Sequence, residues 1–496
     1  VKAAIAFLFF LCLGIAFVSC ENEAQQQERL AKTYCSSCHA FASPELLPKK
    51  IWKDHVLPQM AFRMGLNNDL MHTINMKDLL TVVGTLPAQP MVSEDDWKLI
   101  QEYYISRAPD TLTVPNNGAY AFSEQFKPEL LRFSWQEPLV TNIAFDSASG
   151  ALLVASRSNQ LFFLGKNLQA IDSIQTESPV SSLYFRDGIL YTAEMGVMDP
   201  NDQLAGKVIK TTQQKQRSVL IDSLQRPVFF TALDFNNDKK EEIAIANFGN
   251  FKGNLTIYEE TPSGMQRHVI HQQPGTRNFE TRDVNKDGLM DIIALITQGD
   301  EHIALFINKG NFNFERKTLL RFPPVYGSSY FEMADMNNDG FEDIVYTNGD
   351  NADYSIVFKP YHGVRIFLND GNNEFTEKEF FPMHGASQVL TADFDGDGDQ
   401  DMMAIAFFPD FHQQYRNDVL YFENEGGHFT PKRVRGSEHG RWLTMTKADI
   451  DADGDDDVMI GALNFPGTVP SELFQTWKKN GPQLLLLRNK LRDPVM

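Results

Sequence analysis

Two constellations in this 496-residue chain have residue types and spacings that can do chemistry. The first is Cys35-Ser36-Ser37-Cys38-His39, a C-x-x-C-H string, which reads as a covalent haem attachment site. On a helical turn, positions i and i+3 share a face, so both thiols can reach the two vinyl groups of one porphyrin. His39 then offers a ring nitrogen to the iron from the proximal side. A thioredoxin-like redox pair, a zinc half-site and a structural disulfide are the competing readings. No second Cys pair exists for zinc, and no βαβ pattern surrounds the string. The second constellation is the acidic pattern D-x-[DN]-x-D-x-x-x-[DE], which begins at Asp234, Asp283, Asp335, Asp393 and Asp449.

The elements around the first constellation are helical. Gln25 to Tyr34 is helix-compatible, and Ser93 caps a run from Glu94 to Tyr104 with acidic residues in its first turn. Trp97, Ile100 and Tyr104 fall on one stripe of that run. Residues 24–109 thereby resemble a class I cytochrome c domain. The resemblance implies a distal iron ligand after a Pro-containing loop, and Leu57-Pro58-Gln59-Met60 places Met60 there. Met64, Met71, Met76, Met91, His55 and His72 are the other candidates. A Met/His pair raises the potential and suits electron transfer, whereas an open position suits ligand chemistry.

Ahead of this region, Lys2 precedes an apolar run from Ala3 to Val18, followed by Ser19 and Cys20. That is the layout of an export signal over residues 1–20, too short for a membrane span. Val18-Ser19-Cys20 resembles the lipobox of bacterial lipoproteins, which implies lipidation of Cys20 and tethering to a membrane by that anchor. Ordinary signal cleavage with an incidental Cys20 is the alternative. Export and a C-x-x-C-H string are mutually consistent, because bacteria attach haem c outside the cytosol.

The second constellation is a repeat, with offsets of 49, 52, 58 and 56 residues. Each acidic segment runs into an apolar strand, such as Ile292 to Ile296 or Met402 to Phe407, then a second strand and a turn. The turns at Asn308-Lys309-Gly310, Asn369 with Gly371, and Asn424 with Gly426 follow one plan. Four strands per unit are the content of a propeller blade. Two upstream units, around 142–164 and 181–209, keep the rhythm without the acidic loop. The expected fold is therefore mainly β: a seven-bladed propeller over 122–496, a linker over 110–121, and a small all-α haem domain. The last unit lacks an outer strand, and Phe126 to Phe133 is expected to supply it.

The five acidic strings resemble the FG-GAP/VCBS repeats of integrin-α-like propellers. In such loops positions 1, 3 and 5 point inward, position 7 lends a carbonyl and position 9 closes the shell, as suits Ca²⁺. The implied ligands are Asp283, Asn285, Asp287 and Asp291; Asp335, Asn337, Asp339 and Asp343; Asp393, Asp395, Asp397 and Asp401; and Asp449, Asp451, Asp453 and Asp457. The loop of Asp234, Asn236, Asp238 and Glu242 departs from the pattern, since Lys239 replaces the glycine at position 6. The five strings hold 22 carboxylates and three Lys, a net −19 within a chain of formal charge −20. Crowded this way, the carboxylates raise one another's pKa unless a cation intervenes.

Such acidity argues against nucleic acid as a partner. The favoured function is an exported, membrane-anchored c-type cytochrome, at the periplasmic side or the cell surface and in an outer membrane. One haem c transfers electrons there, and four or five Ca²⁺ staple a propeller that docks a redox partner or surface ligand. The alternatives are a propeller oxidoreductase feeding electrons to the haem, and an adhesin-like binding module. No catalytic base and cofactor clamp can be assembled from the scattered histidines, so a carrier is favoured over an enzyme.

Overall fold

The structure is a computed structural model that describes residues 21–66, 82–115, 118–133, 137–352, 355–464, 466–467 and 469–492. The expected signal over 1–20, its Cys20, and the candidates Met71, His72 and Met76 lie outside the described residues. The chain divides into two compact units, with Thr111 closing the first and Leu112 entering the second.

The described part of the first unit is helical. Helix α1 (Glu23–Cys35) starts from a capping box in which Asn22 and Gln25 exchange side-chain and backbone hydrogen bonds. A short α2 (Lys49–Ile51) runs through a π turn (Trp52–Val56) into α3 (Leu57–Arg63). Helix α4 (Glu94–Arg107) is capped by Ser93, whose hydroxyl accepts the Asp96 N–H. The expected stripe Trp97, Ile100 and Tyr104 is buried. Helices α1 and α4 pack together, and Gln27–Glu102 and Arg107–Glu28 contacts, both 3.0 Å, tie their polar edges. Tyr104 sits at the centre: its ring is 4.4 Å from that of Trp52, and its hydroxyl donates to the Ala42 carbonyl.

The second unit is seven four-stranded antiparallel sheets. Strand β1 (Phe126–Leu131) precedes the first blade, which is β2 (Val140–Asp146), β3 (Ala151–Ser156), β4 (Gln160–Leu164) and β5 (Ala170–Gln175). Blade 2 is β6 (Val180–Arg186), β7 (Ile189–Glu194), β8 (Gly206–Thr211) and β9 (Arg217–Leu224). Blade 3 is β10 (Pro227–Leu233), β11 (Glu242–Asn247), β12 (Asn254–Thr261) and β13 (Gly264–His271). Blade 4 is β14 (Thr276–Arg282), β15 (Asp291–Ile296), β16 (His302–Asn308) and β17 (Phe314–Arg321). Blade 5 is β18 (Ser328–Ala334), β19 (Asp343–Asn348), β20 (Gly363–Asn369) and β21 (Phe375–Pro382). Blade 6 is β22 (Ala386–Ala392), β23 (Asp401–Ala406), β24 (Val419–Glu425) and β25 (His428–Arg433).

Blade 7 is β26 (Trp442–Ala448), β27 (Asp457–Ala462) and β28 (Leu484–Asn489), completed on its outer edge by β1. Phe126 pairs with Asn489 and Leu131 with Leu484, so the expected closure by an N-terminal strand is observed. Helix α5 (Ser471–Asn480), inserted between β27 and β28, was not legible as part of the repeat.

The burial pattern explains the sequence rhythm. The second strand of six blades (β3, β11, β15, β19, β23 and β27) is buried along its whole length, because it lies between neighbouring blades and both faces are covered. The first strands adjoin one another around the ring, and β26 meets β2 to close it. Every first strand carries a bulge at its second residue: Thr141, Ser181, Val228, Arg277, Ser329, Ser387 and Leu443. An extra residue at a bulge re-aims its side chain, and all seven line a central cavity of about 690 Å³.

Candidate functional site

Each acidic segment is the loop from the first to the second strand of blades 3 to 7. The backbone of all five is the same. Position 4 is left-handed in each, at Asn237, Lys286, Asn338, Gly396 and Ala452, and so is position 6. Glycine adopts that conformation without cost at Gly288 and Gly398, whereas Lys239 is held at φ 70°. In every loop the N–H of position 6 donates to the carboxylate of position 1, as from Gly398 to Asp393 (3.1 Å) and from Lys239 to Asp234 (2.8 Å). Lys239 therefore replaces glycine without changing the turn.

Three loops gather three carboxylates with ligand atoms within 4.8 Å of one another: Asp234, Asp238 and Glu242; Asp393, Asp395 and Asp397; Asp449, Asp451 and Asp453. The Asp234 loop qualifies because the longer Glu242 side chain reaches back from position 9. At Asp283 and Asp335 the third position is Asn285 or Asn337, whose amide donates to Asp287 or Asp339 at 2.9 Å.

Position 9 differs from the expected shell-closing role. Asp291 accepts the Val284 N–H on one oxygen (3.0 Å) and the Asn308 N–H on the other (2.7 Å). Asp343, Asp401 and Asp457 repeat this with Met336 and Asn369, Phe394 and Asn424, and Ile450 and Asn489. These buried carboxylates anchor the loop to the third strand, and Asp401 Oδ2 takes the Tyr421 hydroxyl (2.8 Å) as well. Burial, and then the neighbouring loop carboxylates, push Asp401, Asp457 and Glu242 up to about 7 and Asp343 to about 6. A bound cation would invert that logic and hold the carboxylates ionised.

The loops do not fit a cation equally. At the last one, Arg488 already takes Asp451 at 2.7 Å. At Asp393, Asp395 and Asp397 the donors are all carboxylates without a basic partner among the described residues, a hard-oxygen set matching Ca²⁺ chemistry.

In the first unit, Cys35 is the last residue of α1 and Cys38 lies in the turn that follows; both are free thiols. Cys35 is half-buried and Cys38 exposed. Burial pushes the Cys35 thiol up, with a hydrogen bond to Tyr104 opposing it. A redox-active C-x-x-C pair needs the reverse, a depressed thiol. His39 Nδ1 meets the Ala40 carbonyl at 2.9 Å, the type of contact that orients a metal-ligating imidazole by its second nitrogen. These donors fit a covalently held haem. Met60 lies half-buried on α3; Met64 is buried at its C-cap, while His55 and Met91 are exposed.

The residues that sequence reasoning missed are the asparagines ending the third strands. Asn308 Nδ2 donates to the Phe235 carbonyl (2.8 Å) and Asn489 Nδ2 to the Phe394 carbonyl (2.8 Å), each in the loop of the preceding blade. The recurring Asn-x-Gly turn was the available signal.

The FG-GAP-like repeat family matches residues 283–346 and 347–404. Each match runs from one blade into the second strand of the next, so the sequence repeat is offset from the structural one. The chain is similar to integrin alpha-PS5 of Drosophila melanogaster, at 36% identity over 92 residues (16% of this chain, 9% of the relative). It is also similar to integrin alpha-3 of Mus musculus, at 25% identity over 202 residues (35% and 18%). The chain thus matches less than a fifth of either relative's length. Among solved structures, the N-terminal domain of Nup159 aligns with a TM-score of 0.45 at 11% identity, covering 76% of this chain and 99% of that one. The Myceliophteria thermophila Cps50 (Swd1) β-propeller domain aligns with a TM-score of 0.42 at 11% identity, covering 73% and 99%. The second unit is a seven-bladed β-propeller that carries FG-GAP-like repeats.

Proposed function

We propose that this protein is an exported c-type cytochrome whose propeller serves as a docking module braced by Ca²⁺. The observation that carries the reading is the placement of Cys35 and Cys38 at the end of α1 with His39 oriented beside them. Cys35 and Cys38 would hold the haem through thioether bonds, His39 would ligate the iron, and Met60 is the proposed distal ligand. When bound, the haem supplies one-electron chemistry. Beside the thiols the chain provides Tyr104, which hydrogen-bonds Cys35 and packs on Trp52.

Export and a lipid at Cys20 complete the proposal, with the protein displayed on a membrane surface. Among the described residues, no helix is long and apolar enough to cross a membrane. The Asp393 loop is the leading Ca²⁺ site, and a structural rather than catalytic role follows from its position at the turn between the first two strands of blade 6.

The test is an alkaline pyridine spectrum of the full chain made in a host that matures c-type cytochromes, with haem staining after denaturing electrophoresis. Haem should remain with the polypeptide, and Cys35→Ala with Cys38→Ala should remove it while leaving the propeller folded. A colourless wild-type preparation would refute the reading.

A further inference from the structure

Six of the seven bulged residues at the head of the channel are neutral; Arg277 alone is charged. Its guanidinium, inside the cavity, has no hydrogen bond or ion pair with the described residues. Arg226 lines the same cavity and is only 9% exposed. One of its amino groups donates to the Gly249 carbonyl at 2.6 Å, but its buried Nε has no partner. Burial, and then the charge of Arg277, bring Arg226 down to about 10.

The local carboxylates are otherwise engaged. Asp202 accepts the N–H groups of Asn250, Phe251 and Lys252, and Asp199 pairs with Arg157 at 3.0 Å. Asp350, which also lines the cavity, accepts the Ala352 N–H at 2.9 Å and forms no ion pair with Arg277. The acidic loops cannot help, because Arg277 and Asp283 bracket β14 and lie roughly 20 Å apart. A chain of formal charge −20 therefore leaves two guanidinium groups at one end of its channel without an ion pair among the described residues, although Asp350 acts on Arg277 and Asp199 and Asp202 act on Arg226 through space.

The hydroxyls beside them are polarised in one sense. Thr141 donates to the Val180 carbonyl, Ser181 to Pro227 and Ser329 to Gly327. The Thr141 and Ser181 oxygens are left as acceptors on the cavity wall, whereas Ser329 Oγ already accepts the Gly349 and Asp350 N–H groups.

We infer that this end of the channel binds a small hydroxylated carboxylate of the sugar-acid class, its carboxylate held by Arg277 and Arg226 and its hydroxyls donating to Thr141 and Ser181. Arginine forks match a carboxylate in two-point hydrogen bonds. A cavity of this size accommodates a monosaccharide acid with ordered water. The site belongs to the propeller and does not depend on the haem reading.

Calorimetric titration of the full chain with glucuronate, glucose and inorganic phosphate tests it. Glucuronate should bind, glucose at least tenfold more weakly, and Arg277→Gln should weaken glucuronate at least tenfold, with Arg277→Lys intermediate. Arg226→Gln should act in the same direction. Should a variant fail to fold, the wild-type contrast between glucuronate and glucose decides alone. Absence of glucuronate binding, equal affinity for glucose, phosphate binding in place of glucuronate, or an Arg277→Gln variant with wild-type affinity would each overturn the inference.

Discussion

Asp457 and Asn489 together lock one blade of the propeller to the next. The backbone N–H of Asn489 donates to Asp457 within blade 7 at 2.9 Å, and its side chain crosses to the Phe394 carbonyl of blade 6 at 2.8 Å. Asp291 and Asn308 join blade 4 to blade 3 in the same way. The ninth residue of the last four acidic repeats is thus a structural anchor whether or not a cation sits in its loop.

Asn308→Ala tests that relay. It removes the bonds to the Phe235 and Met290 carbonyls and the acceptor for the Gly310 N–H, all at a buried position. Leaving such groups unpaired costs about 2–3 kcal/mol. A lower urea midpoint with an unchanged slope is the expected result. A midpoint equal to wild type would show that the relay contributes nothing.

Ring closure depends on Phe126. It is 5% exposed and meets Phe394 and Tyr421 edge-on at 5.4 and 5.3 Å. Phe126→Ala should destabilise the propeller by about 3–5 kcal/mol through lost contacts and a residual cavity. Proteolysis should then cut first near β1, as read by mass spectrometry of early fragments. Unchanged stability would mean that β1 is dispensable.

Calcium removal gives a third test. A chelator should lower the melting temperature of the wild-type chain by several degrees, since ion binding to the folded loops is linked to folding. Asp397→Asn should shrink that difference. Identical curves with and without chelator would leave the loops without a bound ion.

A pH dependence follows from Glu332. Burial, then the Glu280 charge, raise it to about 7, with Lys447 opposing and Thr391 donating both its N–H and its hydroxyl. The unfolded value is about 4.3. Between those values the folded chain holds the extra proton, so this contribution is complete below the unfolded value and is lost as pH rises through about 7. Glu332→Gln should therefore melt higher than wild type at pH 8 and match it near pH 4. Equal melting at pH 8 would remove the case for the shift.

How far the sequence reached follows from the range of the interactions. The acidic repeat and its apolar second strands were legible because each is set by neighbours along the chain: a nine-residue turn, and a strand whose two covered faces demand continuous apolar side chains. The helix caps at Asn22 and Ser93 are local in the same sense, although only Ser93 was read from sequence. The seven-bladed count and the closing strand were legible too, since repeats cannot bury their faces alone.

What tertiary structure decided are the relations between residues far apart in sequence. The asparagine relay joins positions 73 residues apart in one case and 95 in another. The channel brings Arg226 and Arg277 together because both stand at the heads of adjacent first strands. No spacing along the chain encodes which bulged residues face one axis; only the closed ring of sheets aims them there.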